Sequence, residues 1–209
     1  MNILITGATK GIGKAIADEL GKTHNIFVAS RNEDLLRQYE NYCICDLATK
    51  EGMQVLGKYL QEKNIDILIN NAGEYIYSAI EAIELENLEH IARLNLEAPL
   101  YLISKAVPNM KKSGFGRIIN IGSISGVMGE ANASLYSATK AGLIGATKAL
   151  ALELAEYGIT INTINPGWVD TDLGNASVED SEFSKEEIID CIPQKRFVSP
   201  IEIACMVKY

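Results

Sequence analysis

The sequence is poor in histidine and cysteine, and this shortage argues against a metalloprotein or a disulfide-rich domain. Only two histidines and four cysteines occur among 209 residues. Cys43 and Cys45 are two positions apart, a spacing that matches neither a zinc site nor a C-x-x-C redox motif. We therefore expect no metal and reduced thiols, with these two cysteines as small buried side chains on one face of a strand.

Positive charge and long apolar runs are also scarce. Nineteen basic residues stand against 27 acidic ones, a formal net charge of −8, which argues against nucleic acid or an anionic membrane surface as a partner. No apolar run approaches the length of a membrane span. The opening MNILITGATK lacks the charged segment and cleavage site of a secretory signal. We expect a soluble, cytoplasmic protein whose residues 1–209 form a single domain.

Short apolar runs alternate with longer segments of helical periodicity. The predicted strands cover residues 2–6, 25–29, 42–45, 66–70, 117–121 and 159–164. The predicted helices lie at roughly 11–21, 32–39, 49–62, 86–112 and 134–156. This alternation is typical of an α/β fold, a doubly wound parallel sheet with helices on both faces. Asn95 comes shortly before Pro99, so we expect a break or kink near it in the 86–112 segment.

A glycine-rich turn follows the first predicted strand. Gly7, Gly11 and Gly13 lie in the string TGATKGIG, which leads directly into a helical segment. Glycines in this context let the backbone approach a pyrophosphate, whose charge the helix N-terminus stabilises. The pattern therefore predicts a dinucleotide site, the alternative being a structural turn without a ligand.

The end of the second predicted strand indicates which dinucleotide binds. Ser30 and Arg31 stand where NAD-binding domains often have a carboxylate, and the first acidic residue is Glu33. Lys10 adds a second cation from the glycine-rich turn. Two cations suit a 2′-phosphate, so NADP(H) is favoured over NAD(H); the alternative for Arg31 is a solvated loop cation.

Tyr136 and Lys140 are four residues apart in the string YSATK, and Ser123 precedes the tyrosine by thirteen residues. A four-residue step on a helix places both side chains on one face, where the ammonium can lower the pKa of the phenol. Such a phenol beside a hydroxyl is suited to proton transfer in a carbonyl/alcohol interconversion. An isolated Y-x-x-x-K is a weak signal that also arises as a helix-surface pair.

Taken together and in this order, the motifs resemble the classical short-chain dehydrogenase/reductase family. The resemblance includes the string NNAG at 70–73, the string CDL around Asp46, Asn95 in RLNLEAP, and Pro166 and Gly167 followed by Thr171. Residues 116–173 are most similar to bacterial 3-oxoacyl-[acyl-carrier-protein] reductases. The resemblance to the family implies a Rossmann-type domain with a substrate-loop region near 167–199.

The resemblance implies a catalytic tetrad of Asn95, Ser123, Tyr136 and Lys140. Ser123 would hydrogen-bond the substrate oxygen, and Tyr136 would exchange a proton with it. Lys140 would hold the nicotinamide ribose, and Asn95 would hold a water that passes protons onward. The implied substrate contacts are Ser123, Ser125, Tyr136 and Trp168. The implied cofactor contacts are Gly7, Thr9, Lys10, Gly11, Ile12, Gly13, Arg31, Asp46, Leu47, Asn71, Ala72, Gly73, Tyr136, Lys140, Pro166, Gly167, Val169 and Thr171.

The leading hypothesis is an NADPH-dependent reductase of a 3-oxoacyl thioester. Glu74 and Tyr75, directly after the NNAG string, point instead to a more polar substrate unless this loop faces solvent. A dehydrogenase of another small alcohol or ketone, such as a sugar or a steroid, is therefore the first alternative. A non-catalytic dinucleotide-binding scaffold or sensor is the second, although such relatives typically lose the tyrosine or the lysine.

Two features of the resemblance bear on partners. Carrier-binding arginines often precede the fifth and sixth strands of those reductases, but Gly114 and Tyr157 stand there in this sequence. Lys111 and Lys112 either take the place of these arginines in binding a carrier protein or form a solvated helix end. Family members also continue into a seventh strand, which we expect to be missing here, so that the sixth becomes a sheet edge. We expect a homo-oligomer, dimer or tetramer, built on the helices at 86–112 and 134–156.

Overall fold

Six parallel strands form the centre of the structure, a computed structural model that describes residues 1–180 and 183–208. The strands are β1 (Asn2–Thr6), β2 (Asn25–Ser30), β3 (Asn41–Ile44), β4 (Ile67–Asn70), β5 (Gly116–Ile121) and β6 (Ile159–Ile164). Their order in the sheet is β3-β2-β1-β4-β5-β6. The chain thus runs outward from β1 in one direction and then returns to begin again at β4, which opens a crevice between the carboxyl ends of β1 and β4.

Helices cover both faces of the sheet. They are α1 (Gly11–Leu20), α2 (Glu33–Leu36), α3 (Lys50–Lys63), α4 (Leu85–Ala92), α5 (Ala98–Ser113), α6 (Ser125–Met128), α7 (Ser134–Leu154), α8 (Asp172–Asp180), α9 (Lys185–Cys191) and α10 (Pro200–Lys208). Two short 3₁₀ turns, Ile80–Ala82 and Ala155–Tyr157, and a π-helical turn, Arg93–Glu97, complete the described elements.

The apolar strands separate two hydrophobic cores, one on each face. On one face, Leu56 of α3, Leu102 of α5 and Leu154 of α7 are fully buried against the sheet. On the other face, Ile16 of α1 packs in one cluster with Ala204 of α10. Each fully buried leucine or isoleucine contributes roughly 1.5–3 kcal/mol relative to an exposed one, so both helical layers are held mainly by apolar burial.

Capping residues determine where several helices begin or end. The Thr49 side chain accepts a hydrogen bond from the Gly52 N–H at 3.0 Å and so begins α3. Gly114, at φ +67°, ends α5 in the left-handed conformation that glycine adopts without strain. Ser184 and Glu187 form a reciprocal capping box at the start of α9.

The predicted α/β fold class and all six predicted strands are confirmed, with bounds that differ by at most one residue. Strand β6 is an edge of the sheet in the described part of the chain. The helix predicted at 32–39 is shorter, ending at Leu36, and α6, α8 and α9 had not been predicted. The predicted 1–209 domain and 167–199 substrate-loop region include residues 181, 182 and 209, which lie outside the described residues.

The expected interruption near Asn95 is present as a π-helical turn. Residues Arg93–Glu97 join α4 to α5 without leaving helical geometry, and Asn95 is buried within them. Pro99 falls in the first turn of α5, where its missing N–H is tolerated, whereas Pro108 lies inside the same helix. Single π turns often occur at functional sites.

Two further expectations concern surfaces. Every helix in the described part of the chain is too short or too polar to cross a lipid bilayer. The expected homo-oligomer stays a prediction; the side chain of Leu152 on α7, 86% exposed, is one apolar group that such a contact would cover.

Candidate active site

A cleft of about 760 Å³ opens at the carboxyl edge of the sheet, at the crevice between β1 and β4. Its volume is in the range of small-molecule and cofactor sites. All the predicted cofactor and substrate contacts line it except Gly13. Of the predicted tetrad, Ser123, Tyr136 and Lys140 line the cleft, whereas Asn95 lies outside its lining. The topology therefore brings together predicted contact residues that are up to 164 positions apart in the sequence, from Gly7 to Thr171.

The glycine-rich turn is braced from behind by the loop after β4. Asn71 Nδ2 donates hydrogen bonds to the carbonyls of Thr6 at 2.9 Å and Gly7 at 3.1 Å. Thr6 Oγ1 accepts the backbone N–H groups of Asn71 and Ala72, each at 3.0 Å. A Cβ on Gly13 would lie 2.4 Å from Asn71 Nδ2, so only glycine fits at this contact. Gly13 thus supports the turn rather than lining the cleft.

The start of α1 suits an anion. Gly7 and Gly11 have φ of +66° and +54°, which turns the backbone sharply over the end of β1. Within the described residues, the first turn of α1 has neither a side-chain cap nor an acidic residue, so its N–H groups remain available to a ligand in the cleft. A dinucleotide pyrophosphate fits this arrangement. Thr171, which directly precedes α8 and accepts the Gly174 N–H, packs within 3.4 Å of where a Gly11 Cβ would be.

Ser123 and Tyr136 meet at the other end of the cleft. Ser123 follows β5 and is 8% exposed, and Tyr136 lies in the first turn of α7. Burial raises the pKa of Tyr136, a hydrogen bond with Ser123 partly offsets this, and the charge of Glu130 raises it further. The net shift is upward, opposite to the lowering that the helical spacing of Lys140 predicts.

The position of Lys140 explains the difference. Its ammonium donates a hydrogen bond to the Ile121 carbonyl at 2.8 Å and lies 5.6 Å from the centre of the Tyr136 ring. The side chain is 4% exposed, and burial lowers its own pKa to about 8. Helical spacing placed both groups on one face, but the carbonyl at the end of β5 decides where the ammonium points.

Asn95 holds the loop after β4. Its Oδ1 accepts the Glu74 N–H at 3.0 Å, and its Nδ2 donates to the Glu74 carbonyl at 2.8 Å. Asn95 is 1% exposed. Its amide is thus engaged with backbone, and its predicted role as the holder of a water stays a proposal. Gly73 passes between Asn95 and Lys140, since a Cβ there would lie 3.1 Å from Asn95 Oδ1 and 3.4 Å from Lys140 Nζ.

Arg31 extends across the cofactor end of the cleft to the same loop. Its guanidinium forms an ion pair with Glu74 Oε1 at 2.9 Å, and the other Glu74 oxygen lies 2.7 Å from His90 Nε2 on α4. The Arg31 side chain is 59% exposed, so it remains within reach of a ligand. Asp46, after β3, accepts the Ala48 N–H at 3.0 Å.

Glu130, which lies in the loop between α6 and α7, is a residue of the cleft that the sequence motifs did not predict. Its carboxylate accepts hydrogen bonds from the Tyr75 hydroxyl at 2.8 Å and from Ser125 Oγ at 2.6 Å. Both Glu130 and Tyr75 line the cleft. In the sequence, the polar pair Glu74-Tyr75 after the NNAG string could have indicated polar contacts at this end of the cleft. The only sequence signal for Glu130 is its position six residues before Tyr136.

The predicted substrate contact Trp168 forms part of the cleft wall. Its indole stacks on Phe197 with ring centroids 5.5 Å apart. The next residue, Val169, pairs with Val198 in an isolated parallel bridge. These two contacts therefore join the beginning and the end of the 167–199 region to each other.

Both the sequence and the fold are similar to those of known proteins. The family model for short chain dehydrogenase matches residues 1–182. The 3-oxoacyl-[acyl-carrier-protein] reductase of Rickettsia prowazekii is 37% identical, over 99% of this chain and 87% of its own length. Among solved structures, actinorhodin polyketide ketoreductase with NADPH is 35% identical with a TM-score of 0.93, covering 100% of this chain and 88% of that one. A protein from Beutenbergia cavernae that is assigned as an NAD(P)-dependent gluconate 5-dehydrogenase, with NADP bound at low occupancy, is 29% identical with a TM-score of 0.91. The match covers 99% of this chain and 87% of that one.

Proposed function

Because the chain belongs to the short-chain dehydrogenase/reductase family of oxidoreductases, we propose that it is an NADPH-dependent carbonyl reductase that converts a 3-oxoacyl thioester into the 3-hydroxyacyl form. The observation that carries the proposal is the pairing of Ser123 and Tyr136 in the same cleft as the glycine-rich turn. The similarity to a 3-oxoacyl-[acyl-carrier-protein] reductase and to a polyketide ketoreductase supports the choice of substrate.

In this proposal the residues of the chain supply orientation and a proton. The nicotinamide cofactor, when bound, supplies the hydride. Ser123 holds the carbonyl oxygen of the substrate by a hydrogen bond, and Tyr136 transfers its phenolic proton to that oxygen. Because burial and Glu130 raise the pKa of Tyr136, the phenol is protonated at neutral pH, which suits the direction of reduction. Lys140 holds the nicotinamide ribose, and Asn95 fixes the Glu74 loop beside it.

The test is NADPH oxidation with acetoacetyl-N-acetylcysteamine, the same acyl group on a carrier protein, and a panel of small ketones and sugars. We expect the highest kcat/KM with the thioesters, and at least tenfold higher kcat/KM with NADPH than with NADH. Turnover of the panel without turnover of either thioester would favour the second candidate, a dehydrogenase of another small alcohol or ketone. That candidate draws on the polar lining formed by Glu130 and Tyr75.

The cofactor preference depends on Arg31 and is limited by its ion pair with Glu74. Arg31 suits a 2′-phosphate, and NADP is bound in two similar structures. Glu74 competes for the same guanidinium and brings negative charge beside the phosphate. We therefore expect Arg31→Ala to weaken NADPH binding at least tenfold and NADH binding less than threefold. Conversely, Glu74→Gln is expected to tighten NADPH binding about three- to tenfold.

Fluorescence titration of NADPH and NADH in the absence of substrate measures these affinities. Arg37→Ala is the matched control, since it removes the same charge from an exposed ion pair with Glu33 near the end of α2. An equal loss of NADPH and NADH affinity in Arg31→Ala would contradict the assignment of the 2′-phosphate to this residue.

A further inference from the structure

The Glu130 carboxylate is fixed at the substrate end of the cleft. The Tyr75 hydroxyl donates to Oε1 at 2.8 Å, and Ser125 Oγ donates to Oε2 at 2.6 Å. Ser125 is 8% exposed, so one of the two donors is itself buried. Hydrogen bonds from two sides, one to each oxygen, orient the carboxylate more strongly than a single surface contact does.

Glu130 is linked through one residue to each of the two groups proposed to hold the reacting carbonyl. On one side, Ser123 Oγ donates to Ser125 Oγ at 3.1 Å and accepts the Ser125 N–H at 3.1 Å. On the other side, the Tyr75 ring meets the Tyr136 ring edge-on, with centroids 5.0 Å apart and planes at 72°. The negative charge also raises the pKa of both Tyr75 and Tyr136. The field of Glu130 therefore reaches the position where the carbonyl would lie.

Other charges at the cleft do not cancel this one. Glu74 is paired with Arg31 and His90, and Lys10 lies with Arg31 at the cofactor end. The Lys140 ammonium is directed at the Ile121 carbonyl. The described hydrogen bonds to Glu130 come from the neutral hydroxyl groups of Tyr75 and Ser125 rather than from a cation.

We infer that Glu130 selects substrates by charge, rejecting a carboxylate two bonds from the reacting carbonyl and admitting the same carbon skeleton as a neutral thioester or ester. The inference rests on the proposed function in one respect, that Ser123 and Tyr136 hold the carbonyl. In a 3-oxo acid held there, the acid group lies two bonds from the carbonyl, in the same cleft as Glu130. We take a separation of about 6 Å between the two charges for the Coulomb energy. Two like charges at that distance in a partly hydrated cleft change an affinity by about tenfold.

The test compares a neutral and an anionic form of one acyl group. We would measure kcat/KM for acetoacetyl-N-acetylcysteamine, ethyl acetoacetate and acetoacetate with the wild-type protein, Glu130→Gln and Glu130→Asp. In Glu130→Gln the preference for the neutral forms over acetoacetate is expected to fall at least tenfold, mainly through a lower KM for acetoacetate. Glu130→Asp keeps the charge and is expected to keep the preference.

Glu153→Gln is the charge-matched control, because Glu153 lies on the exposed side of α7 and its replacement changes the net charge equally. A preference in Glu130→Gln within twofold of wild type would overturn the inference. So would an equal fall in the Glu153→Gln control, which would indicate an effect of net charge alone.

A binding measurement separates this inference from the proposed function. Trp168, the single tryptophan of the chain, lines the cleft and reports ligand binding by its fluorescence. If the thioester is not reduced by any variant, the proposed substrate is wrong, and titration of the NADP⁺ complex with acetoacetate still decides the role of Glu130. Glu130→Gln is then expected to bind acetoacetate at least tenfold more tightly than wild type. Equal affinity would refute the inference.

Discussion

Tyr136→Phe is expected to lower kcat for carbonyl reduction at least about a thousandfold while changing the Kd for NADPH by less than about fivefold. The substitution removes one oxygen from the substrate end of the cleft and leaves the ring in its contact with Tyr75. General acid catalysis by a positioned group is worth roughly 10²–10⁴ in rate. Most of that contribution is lost, because the neighbouring Ser123 hydroxyl is not a comparable acid.

Single-turnover kinetics under saturating NADPH measures the chemical step, and fluorescence titration measures the Kd. Tyr157→Phe is the matched control, since Tyr157 lies before β6 at the opposite edge of the sheet, beneath the ammonium of Lys111. A Tyr136→Phe protein that kept more than a tenth of the wild-type kcat would exclude Tyr136 as the proton donor.

Lys140→Met is expected to stabilise the protein while lowering its turnover at least about a hundredfold. Burial lowers the pKa of Lys140 from 10.5 to about 8. At about 1.36 kcal/mol per pKa unit, burying the ammonium destabilises the folded state at neutral pH by ~3 kcal/mol. Loss of the hydrogen bond to the Ile121 carbonyl offsets roughly 1 kcal/mol of the gain. The free energy of unfolding should therefore rise by about 2 kcal/mol at pH 7.

The dependence on pH follows from the same pKa. Below pH 8, Lys140 is protonated in both states, and the folded state is destabilised in full. Between about pH 8 and 10.5 the folded protein releases a proton that the unfolded chain retains, so wild-type stability rises relative to Lys140→Met. Urea unfolding at a series of pH values measures this difference.

Lys148→Met, on the exposed side of the same helix, is the control for Lys140→Met. Its stability is expected to stay within about 0.5 kcal/mol of wild type, since exposed charges contribute little. A lower stability of Lys140→Met at pH 7, or a constant difference from wild type across pH 7–10.5, would show that the buried ammonium is not destabilising.

The strands and the cofactor end of the cleft could be predicted because their signals are local. Buried parallel strands are apolar throughout, so runs such as ILIN in β4 are recognisable without knowing their neighbours. The glycine-rich turn and Arg31 each follow a strand, and the carboxyl ends of parallel strands meet at one edge of the sheet. Their meeting in one cleft follows from topology alone.

The substrate end could not be predicted in the same way, because its contacts join distant loops. Glu130 is held by Tyr75, 55 residues earlier in the chain, and Asn95 by the backbone of Glu74, 21 residues earlier. Helical spacing placed Lys140 beside Tyr136, but it did not include the Ile121 carbonyl, which captures the ammonium. Helical periodicity predicts which side chains lie on the same face of a helix. The direction of a polar group such as the Lys140 ammonium depends on hydrogen-bond partners that lie elsewhere in the sequence and come near only in the folded chain.

The ion pair between Arg31 and Glu74 also affects how tightly simple anions bind at Arg31. A phosphate that contacts Arg31 exchanges one ion pair for another, so it gains only the difference between the two. For inorganic phosphate at Arg31, which lacks the other groups of a dinucleotide, that difference is small. A dinucleotide adds the contacts of its other groups along the cleft and makes the exchange favourable. The carboxylate beside Arg31 thereby discriminates an intact cofactor from the simple anions that surround it in solution.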